Sequence, residues 1–355
     1  MAEHPTSANR SKSAAKEAAK FRIAKVRGQT RDPKIWANEI QKGNRVALSQ
    51  AITLTESSIP EDQLMLDELL QAVHVETPTE QSIRIGITGV PGVGKSTFIE
   101  RYGLLLTERG YRVAVLAVDP SSGKTKGSIL GDKTRMEMLA KDPRAFIRPS
   151  PTASALGGIT RGTHEAILLC EAAGFNRIII ETVGVGQSEI AVRQCSDAFI
   201  LLMLPGGGDE LQGIKRGIME MADALLINKS DGTGIPLARE TAAQYMQALH
   251  LFPPNPAGHN VAVQMISALE NTGIAEFEDH LLTLVQLWKS NESFEKQRVR
   301  QATTIFEQHV QNLALLERWN DPTEQERWDE TLTAITKQLT NPFSAARSWI
   351  WKKDA

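Results

Sequence analysis

The segment that most constrains this chain is Gly89-Val90-Pro91-Gly92-Val93-Gly94-Lys95-Ser96, which follows the apolar run Ile83–Thr88 and precedes a helix-forming run from Thr97 to Glu108. A strand, a G-x-x-x-x-G-K-[S/T] loop and a helix in that order form the context in which backbone amides cradle phosphate. Glycines let the N–H groups curl around a β-phosphate, and the helix N-terminus points its dipole at the anion. In this reading Lys95 reaches the β/γ-oxygens as a point charge and the Ser96 hydroxyl ligates Mg²⁺. Gly89, Pro91, Gly92, Val93, Gly94, Lys95, Ser96 and Thr97 are the candidate nucleotide contacts. The alternative is a glycine-rich turn that ends in Lys-Ser by chance, and the flanking strand and helix weigh against it.

Around this loop the sequence alternates strand and helix patterns. Strand runs fall at Ile83–Thr88, Val113–Val118, Arg177–Ile180, Ala198–Leu204, Ala224–Ile227 and Val261–Ile266. Helical stretches intervene, including Thr163–Ala173, Leu211–Met221, Ala238–Leu249 and Ile274–Trp288. Near-continuous apolar strands alternating with helices predict an α/β fold, a P-loop NTPase with a mostly parallel, doubly wound sheet. Ligands of such sheets sit at the C-terminal ends of the strands.

Four regions follow from the same pass. Residues 1–34 are basic and predicted to be a disordered extension. Arg10, Lys12, Lys16, Lys20, Arg22, Lys25 and Arg27 suit an organellar transit peptide, but Glu3 and Glu17 favour a solvated, partly helical extension. Residues 35–80 read as N-terminal helices, with apolar stripes Leu48, Ala51, Ile52, Leu54 and Leu64, Leu66, Leu69, Leu70 separated by Pro60. Residues 81–290 form the predicted nucleotide domain. Residues 291–355 are rich in Gln, Glu, Arg and Lys, with Ile305, Val310, Leu313 and Leu316 at helical spacing, and predict a helical arm. Trp319, Trp328, Trp349 and Trp351 concentrate there, either as anchors for a partner or second subunit or as contacts that dock the arm on its own domain.

Composition excludes several classes. A net charge of -2 over 355 residues argues against polyanion binding, so no nucleic-acid partner is expected. The two cysteines, Cys170 and Cys195, form no Cys-x-x-Cys or Cys/His cluster, so neither a disulfide framework nor a zinc site is indicated. No apolar run reaches the ~20 residues needed to span a bilayer. A cytoplasmic location, with no membrane contact, is the expectation.

Further motifs fall near strand ends. Asn228-Lys229-Ser230-Asp231 follows the strand Ala224–Ile227. The Asp231 carboxylate can accept from N1–H and the exocyclic amine of guanine, a donor pair that adenine lacks. Asn228 would bridge the base and the phosphate loop, the Lys229 stem would cover the ring, and Ser267-Ala268-Leu269 would supply a backbone contact to guanine O6. GTP is therefore expected over ATP. Metal-binding acids are sought at Glu181, at Asp119 after Val113–Val118, and at Asp132 in the loop Gly123–Thr134. A hard Mg²⁺ takes such oxygens directly or through water. Within Glu181-Thr182-Val183-Gly184-Val185-Gly186-Gln187, Gly184 aligns with the amide that faces a γ-phosphate, and Val185 stands where small GTPases place their water-orienting glutamine. Intrinsic hydrolysis should be slow, with Gln187 able to swing in. Pro205–Lys215 holds three consecutive glycines, and Lys215 and Arg216 beyond them can bring a cation to the nucleotide or a partner, or can be plain surface charges.

These residues resemble the methylmalonyl-CoA mutase-associated GTPases (MeaB/ArgK type) of the G3E class. The likeness lies in Gly89–Thr97, Val118–Ser122, Ser128–Met136, Leu156–Gly158, Glu181–Glu189 and Gly206–Lys215, and runs from about Glu39 to Trp288. It implies a homodimeric GTPase chaperone of an adenosylcobalamin-dependent methylmalonyl-CoA mutase, one that gates cofactor loading and protects or reactivates the mutase. By that likeness Lys95, Ser96, Asp119, Asp132 and Glu181 serve phosphate and Mg²⁺, and Asn228 and Asp231 hold guanine. Glu181–Val192 and Leu204–Lys215 are switches, with Lys215 a cation that couples the partner to hydrolysis, and the C-terminal arm makes the dimer. This sequence departs at the basic run Gly123–Gly127 and in the arm ending Trp349-Ile350-Trp351. Rival readings are a G3E metal-insertion factor, which usually carries a Cys/His motif, a transport-linked ATPase or kinase, and a non-hydrolysing binding module.

Overall fold

The computed structural model describes residues 32–57, 59–73, 82–118, 136–150, 158–182, 188–206, 216–253, 255, 257–319, 321–337 and 339–351. Its centre is a seven-stranded, wholly parallel sheet in the order β3-β2-β4-β1-β5-β6-β7. The strands are β1 (Ile83–Gly89), β2 (Val113–Val118), β3 (Ala145–Ser150), β4 (Arg177–Thr182), β5 (Ala198–Met203), β6 (Ala224–Ile227) and β7 (Ala262–Met265). β1 lies between β4 and β5, with Ile87 in register with Glu181 and with Ile200. The chain builds one half of the sheet through β2–β4 and the other through β5–β7, so the C-terminal end of β1 is where the order reverses and a ligand crevice opens.

The expected strands all form. β3 was not anticipated, because Arg148 and Pro149 break its apolar run. It is an edge strand, where proline's missing N–H leaves no ladder bond unmade. β4 also runs on to Thr182, which places Glu181 inside the strand rather than just after it.

Strand alternation sends side chains to both faces of the sheet. On one face Ile83, Ile85, Ile87, Val115 and Ile179 meet α4 (Lys95–Glu108) and α10 (Ile274–Ser290). There Phe98, Tyr102 and Phe277 form an aromatic cluster with centroids 5.3–5.8 Å apart. Full burial of each such ring stabilises by roughly 1.5–3 kcal/mol. On the other face Leu116, Ile178, Ile180 and Phe199 meet α6 (Gly158–Ala172), α7 (Ser188–Cys195) and an N-terminal layer. That layer is α1 (Pro33–Gln41), α2 (Arg45–Leu54) and α3 (Pro60–Val73). Asp32 and Asn44 cap α1 and α2 through their side-chain oxygens. Leu48, Ala51, Ile52, Leu66 and Leu69 are buried as the stripes predicted, whereas Leu64 points outward, 66% exposed.

Two short helices, α5 (Glu137–Lys141) and α8 (Arg216–Met221), and the longer α9 (Ile235–Leu249) complete the domain. The C-terminal region is helical: α11 (Ser293–Trp319), α12 (Pro322–Thr336) and α13 (Pro342–Trp351). Trp328 and Trp349 stack edge to face at 5.1 Å, so these two tryptophans hold α12 to α13. Val299, Phe306, Val310 and Leu313 lie outward on α11 at 47–67% exposure.

Candidate functional site: a phosphate loop at the sheet's switch point

β1 ends at Gly89 with φ 151°, and the chain turns at once. Any side chain at Gly89 would collide with β5, since a Cβ there would stand 2.5 Å from the Leu202 carbonyl oxygen. Gly92 and Gly94 also take positive φ, at 80° and 94°. Gly94 is the N-cap of α4, and the first amides of the helix have no partner within it. Lys95 opens that helix and folds back over the loop, donating from Nζ to the carbonyls of Gly89 at 2.8 Å and Val90 at 3.3 Å. Burial lowers its ammonium pKa from the ordinary value, and the charges of Glu181 and Glu189 act against that. Ser96 and Thr97 follow in the first turn.

Ser96 Oγ lies 3.4 Å from Glu181 Oε1. Glu181 is only 5% exposed, and β4 carries it beside the loop. Two hard oxygens in contact, one from the first turn of α4 and one from β4, suit a small divalent cation such as Mg²⁺. Next to them the buried hydroxyls of Thr182 and Thr88 pair at 2.8 Å and tie the end of β4 to the end of β1. Sequence reasoning missed this clasp, since two threonines far apart in the chain show no motif. Glu189, which the family likeness places only within a switch segment, lies buried in the first turn of α7, and its charge acts on Lys95.

The base-side motif assembles at the ends of β6 and β7. Asn228 is buried and uses both ends of its amide: Nδ2 donates to the Val93 carbonyl at 2.7 Å, and Oδ1 accepts from the Ala268 amide at 3.0 Å. Lys229 is exposed with φ 60°. Asp231 accepts a hydrogen bond from Ser267 Oγ, which in turn accepts from the Glu270 amide at 3.1 Å. The Ala268 N–H is thus held by Asn228. Leu269 beside it is 72% exposed. Tertiary folding therefore gathers Gly89–Thr97, Glu181, Asn228, Lys229, Asp231 and Ser267–Leu269 around one edge of the sheet. Asp119, Asp132, Gly184, Gln187 and Lys215 lie outside the described residues.

Among the described residues, no cluster of three or more His, Cys, Asp or Glu side chains could hold a metal. Cys170 and Cys195 are both buried thiols, and burial pushes both up, Cys195 to about 12. Among the described residues no helix is long and apolar enough to cross a membrane.

A phosphate loop of this geometry, joining the central strand of a parallel sheet to a helix at the switch point, defines a P-loop NTPase. The model of the family described as "Methylmalonyl Co-A mutase-associated GTPase MeaB" matches residues 48–323. The chain is 48% identical over 311 residues to a probable GTPase of Mycobacterium tuberculosis (strain ATCC 25618 / H37Rv), covering 88% of this chain and 92% of that protein. It is 52% identical over 247 residues to the mouse mitochondrial methylmalonic aciduria type A homolog, covering 67% of this chain and 59% of that one. The crystal structure of a LAO/AO transport system kinase superposes with TM-score 0.69 at 32% identity, covering 89% of this chain and 96% of that chain. The chain belongs to the methylmalonyl-CoA mutase-associated GTPase family, and it is a GTPase.

Proposed function

We propose that this protein hydrolyses GTP to GDP and phosphate with Mg²⁺ and acts as a chaperone of adenosylcobalamin-dependent methylmalonyl-CoA mutase, gating cofactor loading and protecting or reactivating the mutase. The observation that carries the nucleotide half is the Asn228 bridge, which joins the guanine-reading strand end to the phosphate loop. The match to the mutase-associated family carries the client half.

Each residue then has a task. Lys95 leaves the Gly89 and Val90 carbonyls for the β- and γ-phosphate oxygens, and with the loop amides it stabilises charge on the transferring phosphoryl group. Asp231 accepts from the two guanine donors, held in orientation by Ser267. The Lys229 stem lies against the base. Ser96 and Glu181 would hold Mg²⁺, with Asp119 and Asp132 as further acids. Bound there, the cation would neutralise charge on the phosphates. Gly184, Gln187 and Lys215 remain candidates for the γ-phosphate contact, the water and the cation that couples partner binding to hydrolysis.

A cytoplasmic homodimer built through the arm is part of the same reading. What supports the dimer is the outward stripe Val299, Phe306, Val310, Leu313, spaced as a helix seam. The decisive measurement is GTP turnover by the purified protein, alone and with the mutase. Slow turnover that rises sharply with the mutase supports both halves. A turnover that ignores the mutase leaves the GTPase and removes the client.

A further inference from the structure

Helix α7 is fastened at its C-terminal end by two unrelated parts of the fold. The first is β1. Asp197 donates its amide to the Arg84 carbonyl at 2.8 Å and takes the Arg84 amide on Oδ2 at 2.7 Å. Two residues on, Gly86 has no side chain where α7 crosses it. A Cβ there would stand 2.8 Å from Val192 Cγ1 and 2.9 Å from Ser196 Oγ. The second is the root of the arm. Gln297 donates to the carbonyls of Ser196 at 2.8 Å and Asp197 at 3.1 Å, and Gln301 donates to the same Ser196 carbonyl at 2.8 Å. Arg298 forks onto the Asp197 carboxylate, with Nη2 at 2.7 Å from Oδ2, and reaches Glu171 at 3.4 Å and the Ser82 carbonyl at 3.1 Å.

The contacts are more than packing. The two residues that follow α7 present the Ser196 and Asp197 carbonyls, and the donors that take them come from α11, about a hundred residues later. Gln301 is 7% exposed and Asp197 2%, so these two ends of the contact are largely shielded from water. At its other end α7 carries buried Glu189, close enough for its charge to act on Lys95. An eight-residue helix is a stiff rod of about 12 Å. Fixing one end therefore fixes the other.

We propose that Gln297, Arg298 and Gln301 at the root of the arm are positioning residues for the GTPase site: by holding Ser196 and Asp197 against β1, they set how α7 packs on the strand that leads into the phosphate loop. Whatever turns α11, a second copy of this chain or a bound partner, then changes turnover without touching the nucleotide. The proposal rests on Lys95 serving the phosphates, so Lys95→Ala is measured alongside.

The test is steady-state GTP turnover with melting temperature, for wild type, Gln297→Ala, Gln297→Ala/Gln301→Ala and the control Lys296→Ala, whose side chain is 62% exposed on the same helix. Misplacing a group near a reacting centre by an ångström costs up to on the order of 100-fold. The glutamine variants should lose roughly tenfold or more in kcat with KM within about twofold, and Lys296→Ala should match wild type. A lowered melting temperature with unchanged kcat would mean that the glutamines only brace the fold, and would overturn the proposal. If the double variant does not fold, Gln297→Ala alone decides by the same criterion. Retained turnover in Lys95→Ala would instead remove the reading of the site on which the proposal stands.

Discussion

Asn228 Nδ2 donates to the Val93 carbonyl oxygen at 2.7 Å, so the loop expected to hold phosphate and the strand end expected to hold guanine share one hydrogen bond. The other end of the same amide accepts from Ala268. One buried side chain thus joins the loop after β1, the end of β6 and the turn after β7. Asn228→Ala leaves the Val93 carbonyl and the Ala268 amide without it, a loss of about 1–3 kcal/mol for each buried group left unpaired. GTP affinity and melting temperature should fall together. Wild-type GTP affinity in a destabilised variant would confine Asn228 to a structural part.

Gly94 faces the same amide. Its φ of 94° is strained for any other residue, and an added Cβ would sit 2.7 Å from Asn228 Nδ2. Gly94→Ala should cost on the order of 1–3 kcal/mol in stability, measured by chemical denaturation, and should weaken GTP binding. A neutral effect on both would show that the loop relaxes freely.

Asp231→Asn exchanges an acceptor for a donor opposite the guanine amine. GTP affinity should drop by about 100-fold or more, because a site built for hydrogen bonds rejects a ligand that leaves them unmade, while xanthosine triphosphate gains. Competition between the two nucleotides reads this directly. Unchanged GTP binding would remove guanine recognition from this strand end.

Glu181→Gln keeps the shape of the side chain beside Ser96 Oγ but removes its charge. The Mg²⁺ concentration for half-maximal GTP turnover should rise, by roughly tenfold or more for the loss of one direct anionic ligand. A Mg²⁺ titration that superposes on wild type would place the cation elsewhere.

Stability should fall with acid in two overlapping steps at the junction of α6, β1 and the arm. Burial acts to raise Glu171, but the bidentate Arg84 and the nearby Arg298 outweigh it and hold its carboxyl at about 2 against an ordinary 4.5. Its contribution is complete above about pH 4.5 and is lost as pH falls towards 2. Burial first, and then the charge of Arg84, lower His164 from 6.5 to about 3, so the imidazole stays neutral in the fold. Below pH 6.5 the unfolded chain takes a proton that the folded one refuses, and stability declines down to about pH 3. Denaturation midpoints should show both slopes. His164→Gln should flatten the upper part and Glu171→Gln the lower.

Local signals carried far in this chain. The apolar runs of β1, β2, β4, β5 and β6 were legible because strands buried on both faces leave few polar residues, and the loop motif was legible because its chemistry is contiguous. β3 was not, since an edge strand tolerates the Arg148 and Pro149 that disguise it. The burial of Leu66 and Leu69 followed from helical spacing, but the outward turn of Leu64 did not, because a stripe's limits depend on what packs against it.

By itself, then, the sequence determined a parallel α/β P-loop fold, a phosphate loop at Gly89–Ser96 and a family, because these rest on periodicity and on residues adjacent in the chain. Only the tertiary structure decided that Thr182 clasps Thr88, that Asn228 joins Val93 to Ala268, and that Gln297 and Gln301 grip the end of α7. Those partners lie from 40 to 135 residues apart. No periodicity links such distant positions; the sheet order brings them within hydrogen-bonding distance.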